Sequence, residues 1–311
     1  MRTLLQLLPG EHITAFPARF YHLGLLDQVK SCEYLGVSRG IYDAKPQHLL
    51  STAQHKAISI FDINKYQQLW MDHGFGKLIN KFLNKEEKLL IRNSLSNLHS
   101  KCVTGQLSIE NDSWNWCHLC TAEDRETFGV SYYHRDHQIP GVFHCAKHKI
   151  RLTSNCLICG FRVLNLAKSP LPPTSNECPS CNSNMPSNEV YYDETMDGIE
   201  SKMIQMTNQD CSFQLSDFTK HIRNFIGIDI TTPLDVHEKK RLTEWKRFIR
   251  SFLTSQASDT YFKKSKGKTS KNRSEYLLTR SRLYNESSTV GITHPLIHLI
   301  VLKATKHEIF S

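Results

Sequence analysis

Four short donor motifs follow one another between residues 117 and 181, and they constrain this chain more than any other feature. NWCHLC supplies Cys117 and Cys120, CAKH supplies Cys145 and His148, NCLICG supplies Cys156 and Cys159, and CPSC supplies Cys178 and Cys181. Two residues between paired donors let both reach one cation, and two such pairs complete a tetrahedron around zinc. Pairing in chain order predicts two structural zinc ions. One is held by Cys117, Cys120, Cys145 and His148, the other by Cys156, Cys159, Cys178 and Cys181. Both shells are filled by protein, which separates them from catalytic zinc with its open position. Redox chemistry at a CxxC pair calls for one such motif beside an alternating strand–helix pattern, not several in tandem.

Eighteen residues separate the third pair from the fourth, within the usual range for a four-cysteine site; the first two pairs are 24 residues apart. Cys32, Cys102 and Cys211 are then surplus and read as small buried hydrophobes. His134, His137 and His144 crowd the second motif in HRDHQIPGVFHCAKH. A hydrolytic metal site there would need a carboxylate base, and Asp136 is the nearby candidate. Structural or recognition roles suit these histidines better. The stretch 106–190 is rich in Asn, Ser, Pro and Gly and poor in apolar repeats, so metal replaces packing. A structural zinc site supplies roughly 10–16 kcal/mol of apparent binding energy that doubles as folding energy.

Charge is concentrated elsewhere. Of a net +9, the segment Lys239 to Arg282 carries +11, with 14 basic and 3 acidic residues, and the rest sums to −2. Such density points to a polyanion, most often nucleic acid. Candidate DNA contacts are Lys239, Lys240, Lys246, Arg247 and Arg250 on one amphipathic helix, and Lys263, Lys264, Lys266, Lys268, Lys271 and Arg273 in the loop KKSKGKTSKNR.

The flanks read as helical. EEKLLIRNSLSNL places Leu89, Leu90, Ile91, Leu95 and Leu98 near helical spacing. A helix over roughly Glu11 to Leu25 would carry Pro17 inside and kink or break there. SDFTKHIRNFIGI starts on Ser216, a good cap, and aligns Phe218, Ile222, Phe225 and Ile226. HEKKRLTEWKRFIRSFLTSQ can bury Leu242, Trp245, Phe248, Ile249, Phe252 and Leu253. SEYLLTRSRLY and THPLIHLIVLKATK follow as two short helices, an order compatible with a helix-turn-helix unit.

The expected fold is therefore mainly α with small zinc-ribbon or zinc-knuckle β elements. Three parts are expected: a helical N-terminal domain over 1–105, a tandem zinc module over 106–190 and a basic helical domain over 191–311. No apolar run reaches the roughly 18 residues of a membrane span, and the start lacks a signal-peptide pattern, so a cytoplasmic location is expected.

YYHRDHQIPGVFHCAKHKIRL resembles the signature of the TniQ/TnsD family of transposition target selectors, whose CxxC-to-CxxH motif is of this kind. PGEHITAFPARFYHLG, with Glu11 and Arg19, looks like the family's opening segment, and THPLIHLIVLKA is similar to a motif near its C-terminal region. Pro17 and Ala15 depart from the family's apolar residue and serine. The resemblance implies an adaptor, not an enzyme. It would link a DNA target, or a CRISPR guide-RNA effector complex, to the AAA+ ATPase regulator of a heteromeric cut-and-paste transposon, sometimes as a homodimer. Direct attachment-site binding in the manner of TnsD is the alternative, and a zinc-dependent nuclease a more distant one. TnsD-type members continue into further DNA-reading modules, so the chain resembles a short TniQ-type protein or part of a longer one.

Overall fold

The computed structural model describes residues 6–24, 26–49, 51–61, 65–93, 107, 112–185, 192–229, 234–262, 276–285 and 292–310, with backbone alone at 90–93 and 282. Helices dominate: α1 (Phe16–Leu23), α2 (Gln28–Leu35), α3 (Thr52–Ile58), α4 (Tyr66–His73), α5 (Gly76–Asn80), α6 (Lys85–Asn93), α7 (His118–Phe128), α8 (Glu194–Asn208), α9 (Leu215–Ile226), α10 (Val236–Phe252), α11 (Ser255–Tyr261) and α12 (Pro295–Ala304). Among the described residues, β structure is a set of isolated antiparallel bridges. No helix there is long and apolar enough to cross a membrane.

The chain forms two compact units, one from 1–76 with 111–189 and one from 77–110 with 190–311. In the first, Phe16, Phe20 and Leu35 build a core with Leu7, Val37, Ile60 and Phe61 against it. A second group of rings centres on buried Trp114, which meets Tyr133 at 4.9 Å and His12 at 5.2 Å between centroids. Helix α1 begins at Phe16, so the expected start at Glu11 is corrected. Pro17 falls in the first turn, where a missing N–H costs nothing, and no kink is needed. The preceding backbone is committed elsewhere: Glu11 forms a bridge with His134, and His12 N donates to Tyr133 O at 2.9 Å.

Arg19 and Glu11, 2% and 0% exposed, form a bidentate pair at 2.7 and 2.8 Å. Arg19 Nη2 also donates to Gln6 O at 2.6 Å, and Glu11 accepts from Leu8 N at 2.9 Å. The resemblance had singled out these two residues, and a buried clasp is the physical reason for their spacing. HGFGKL serves packing: a Cβ on Gly76 would stand 2.8 Å from the Trp70 ring, so the chain folds back over the indole only without one.

In the second unit α12 is apolar almost all round and buried along its length except at Lys303, the pattern of a central helix. It packs against α8, where Gly198 leaves room for the Lys303 side chain. His298 lies between Phe82 and Phe218, at 4.7 and 4.6 Å. Buried Lys81 donates to Lys77 O, Met206 O and Gln209 O at 3.0, 3.1 and 3.3 Å, which satisfies carbonyls at the end of α8.

Helix α9 starts two residues before expectation. Gln214 is its N-cap in a capping box with Asp217, so Ser216 lies inside the helix. Phe218, Ile222 and Ile226 are buried as expected, whereas Phe225 is 48% exposed. In α10, capped by Asp235, Leu242, Trp245 and Ile249 are buried but Phe248 is 42% exposed. Seven-residue spacing from Arg241 sets Phe248 on the flank of the helix, beside its buried stripe. The described part of SEYLLTRSRLY holds a 3-10 helix, Ser281–Leu283. Leu89 is 59% exposed, and Leu95 and Leu98 lie outside the described residues, as does Cys102.

Candidate metal centres

The eight donors gather as two groups of four, both in the first unit: Cys117, Cys120, Cys145 and His148, and Cys156, Cys159, Cys178 and Cys181. Within each group all donor atoms lie within 4.8 Å of one another. A zinc tetrahedron with Zn–S of about 2.3 Å and Zn–N of about 2.05 Å has edges near ~3.8 Å between sulfurs and ~3.5 Å between sulfur and nitrogen. In the first group, His148 Nδ1 is 3.4, 3.3 and 3.6 Å from the sulfurs of Cys117, Cys120 and Cys145, and Cys120 Sγ is 3.5 Å from Cys145 Sγ. In the second, Cys156 and Cys181 are 3.8 Å apart and Cys159 and Cys178 3.5 Å. These spacings fit one tetrahedral cation in each group.

Three of the four motifs share one backbone design. In each hairpin the residue after the second donor has positive φ: Lys149 at 58°, Gly160 at 73° and Asn182 at 55°. Its N–H returns to the first donor's carbonyl, Lys149 to Cys145 at 2.8 Å, Gly160 to Cys156 at 2.9 Å and Asn182 to Cys178 at 2.9 Å. The hairpin stems then pair through bridges His144 with Arg151, Asn155 with Arg162 and Glu177 with Asn184.

The first motif is different. Cys117 is the N-cap of α7 and Cys120 sits in its first turn, with Thr121 N donating to Cys117 O at 3.0 Å. Unpaired N–H groups at a helix start favour negative charge, so this end suits thiolates as well as a knuckle does.

Segment 114–116 fixes both groups. Trp116 exchanges two backbone hydrogen bonds with Thr153, at 3.0 and 2.9 Å, and Trp114 N donates to Val163 O at 3.0 Å. Gln138, fully buried, donates to Asn115 O at 2.7 Å and accepts from Asn115 N at 3.0 Å. On the other side Leu166 N donates to Tyr42 O at 2.8 Å, which joins the second group's hairpin to the 3-10 helix Arg39–Asp43.

The electrostatics are compatible with a cation in each group. Hydrogen bonding with Cys117 and Cys120 pulls Cys145 far below the usual thiol range, and the same contacts push Cys120 far above it. In the second group the Cys159 N–H pulls Cys156 down to about 6, while burial pushes Cys178 up to about 11. Clustered thiols cannot all ionise together unless a positive charge stands among them.

Residues beyond the eight donors support the first group. His148 Nε2 lies 3.1 Å from Glu123 Oε1, which fixes its proton there and turns the Nδ1 lone pair to the sulfurs. Glu123 also pairs with Lys147. Buried His137 has Nε2 3.8 Å from Cys120 Sγ, and His134 pairs with Asp124 at 2.8 Å. Asp136 is engaged by Arg135 at 2.8 and 2.9 Å, and Arg135 also holds Asp72 O at 2.6 Å. The HRDH side chains are thus tied into the scaffold. Spacing gave no sign of Glu123, because its place three residues after Cys120 matters only once that stretch is a helix.

Of the basic candidates, Lys239, Lys240, Arg247 and Arg250 are exposed on α10. Lys246 is partly buried, with its ammonium 5.6 Å from the Tyr284 ring centre. Lys263, Lys264, Lys266, Lys268, Lys271 and Arg273 lie outside the described residues.

The TniQ family model matches residues 81–152. This match supports TniQ family membership, as the resemblance implied. The TniQ segment runs from buried Lys81 through the whole first donor group and ends before the second. No curated protein matches the chain.

Proposed function

We propose that this chain is a non-catalytic adaptor for target-site selection in a heteromeric cut-and-paste transposon, with one structural zinc ion in each donor group. The TniQ match over residues 81–152 carries the reading. Three sulfurs and a nitrogen, or four sulfurs, are soft donor sets that select zinc among the common divalent ions. Four protein donors around each ion leave no position for a hydrolytic water, so the metals hold the first unit rigid. Rigid hairpins and a basic helix suit a protein that positions partners: target DNA on the Lys239, Lys240, Arg247 and Arg250 face, and an AAA+ ATPase regulator elsewhere.

Two modes of targeting fall under this reading. The chain either docks on a CRISPR guide-RNA effector complex, as one copy or as a homodimer, or binds an attachment sequence directly. The test is duplex affinity of the zinc-loaded protein at 50 and 200 mM salt, beside co-purification with an AAA+ transposition regulator co-expressed with it. Neutral replacement of Lys239, Lys240, Arg247 and Arg250 is expected to weaken duplex binding and flatten its salt dependence. An unchanged salt slope removes this helix from the DNA interface, and failure to retain the ATPase removes the adaptor role.

A further inference from the structure

A cleft of about 630 Å³ opens in the second unit between α8, α9 and the residues after α12. Its walls include Lys202, Gln205 and Gln209, then Lys220, His221 and Asn224, and finally His307 and Glu308. That volume is within the range of small-molecule sites. The two lysines are balanced by Asp217 and Glu308, so the cleft itself carries little net charge. Its chemistry is that of amides and imidazoles.

The hydrogen-bond network fixes the tautomers of the two histidines. Thr305 Oγ1 donates its one proton to Val301 O at 2.9 Å, so it accepts from His221 Nε2 at 2.9 Å, and His221 Nδ1 keeps a lone pair. His307 Nδ1 accepts from Ile309 N at 3.0 Å, which leaves its proton on Nε2. Burial pulls both imidazoles below their ordinary range, which keeps them neutral. The pair therefore offers one acceptor and one donor, beside three side-chain amides.

These rings also begin a continuous run. His307 meets His221 at 4.4 Å, His221 meets Phe225 at 6.3 Å, and Phe225 stacks on Phe248 at 6.1 Å and 26°. Phe225 and Phe248 are nearly half exposed, and Phe248 stands on α10, the helix whose outer face carries Lys239, Lys240, Arg247 and Arg250. At about 100° per residue Lys240 and Arg247 stand within about 100° of Phe248 around the helix, and rings beside cations are the combination that holds unpaired nucleic acid, with bases on the rings and phosphates on the cations. An electrically balanced cleft of amides and imidazoles suits a base edge and would not attract a phosphate.

We propose that the cleft and the Phe225–Phe248 stack form a binding track for an unpaired DNA strand, with a base edge meeting the amides and imidazoles of the cleft and the phosphates running along α10. The phosphate half rests on the DNA-contact reading above; the base half does not. A strand opened at an insertion target would present such bases, whereas a closed duplex would meet only the cations.

The experiment uses the full zinc-loaded chain and three labelled probes in fluorescence anisotropy: a 15-nucleotide mixed-sequence DNA strand, an abasic strand of the same length, and the corresponding duplex. Wild type is expected to bind the base-bearing strand about tenfold more tightly than the abasic one. Phe225→Ala with Phe248→Ala should abolish that preference and leave duplex and abasic binding within about twofold. A second variant, Asn224→Ala with Gln209→Ala, alters only exposed positions and should lower strand affinity alone. Equal binding of abasic and base-bearing strands by wild type overturns the proposal, as does a stack variant that keeps the preference. Retained duplex binding in that case leaves the DNA-contact reading standing, while a wild type that binds none of the three probes removes that reading together with this proposal.

Discussion

Replacing Glu11 is the sharpest test of how the first unit is held together. Glu11→Gln would leave the Arg19 guanidinium 2% exposed, with its charge facing a neutral amide and Gln6 O as its remaining charge-assisted partner. It would also weaken the acceptor for Leu8 N. Removing one member of a buried ion pair costs about 3–5 kcal/mol, because the partner's desolvation is no longer offset. Glu11→Gln and Arg19→Met should each fall in that range. The double variant Glu11→Leu, Arg19→Met removes both charges, and it should lie within about 2 kcal/mol of wild type. The assay is urea unfolding of the zinc-loaded protein, followed through tryptophan fluorescence, since Trp70, Trp114 and Trp116 all lie buried in this unit. Single variants that lose less than about 1 kcal/mol, or a double variant no better than the worse single, would refute the argument from burial.

Other consequences can be measured in the same preparation. Glu123→Ala should lower zinc affinity at the first group about tenfold in a competition titration with a chromophoric chelator, while the second group keeps its affinity. Equal release from both would show that the carboxylate does not orient His148. Burial pulls His12 down to about 3, so the unfolded chain takes up a proton there near pH 6.5 and the folded chain does not. Stability from this residue is complete above that pH and declines as pH falls towards 3; between pH 7 and 5 wild type should lose about 2 kcal/mol more than His12→Gln in urea unfolding. A Lys81→Met variant leaves the Met206 and Gln209 carbonyls without their donor and should destabilise the second unit by about 1–3 kcal/mol, read from Trp245 fluorescence; no change would show that water replaces the ammonium.

The donor set was legible because ligand spacing is local: two residues between donors means the same thing wherever the chain goes next. What CxxC alone does not tell is whether the turn closes as a knuckle or opens into a helix. The residue that follows carries that information. Gly160 and Asn182 tolerate positive φ, whereas Cys120 is followed by TAEDRE, a run that continues as helix. Lys149, a non-glycine at 58°, carries no such sign. Periodicity found the buried faces of α9 and α10, but it assigned Phe225 and Phe248 to the core because a helical repeat cannot distinguish a buried ring from one at the edge of the stripe. The start of α1 was missed because the use of residues 11–13 depends on His73, Tyr133 and His134, far along the chain. For the same reason, the joining of the N-terminal helices and the donor hairpins in one unit is a matter of long-range contacts that composition does not record.

That discontinuity sets a timetable for biosynthesis. Tyr132 Oη reaches Pro9 O across 123 positions of sequence. At about 5–20 residues per second, a ribosome needs roughly 6–25 s to deliver the later partner after the earlier one has emerged. Throughout that wait the opening helices have no finished surface to close upon, and the cysteines that would capture metal are still being added. A nascent chain of this design therefore cannot complete its first unit before elongation has passed Tyr132, however much zinc is at hand.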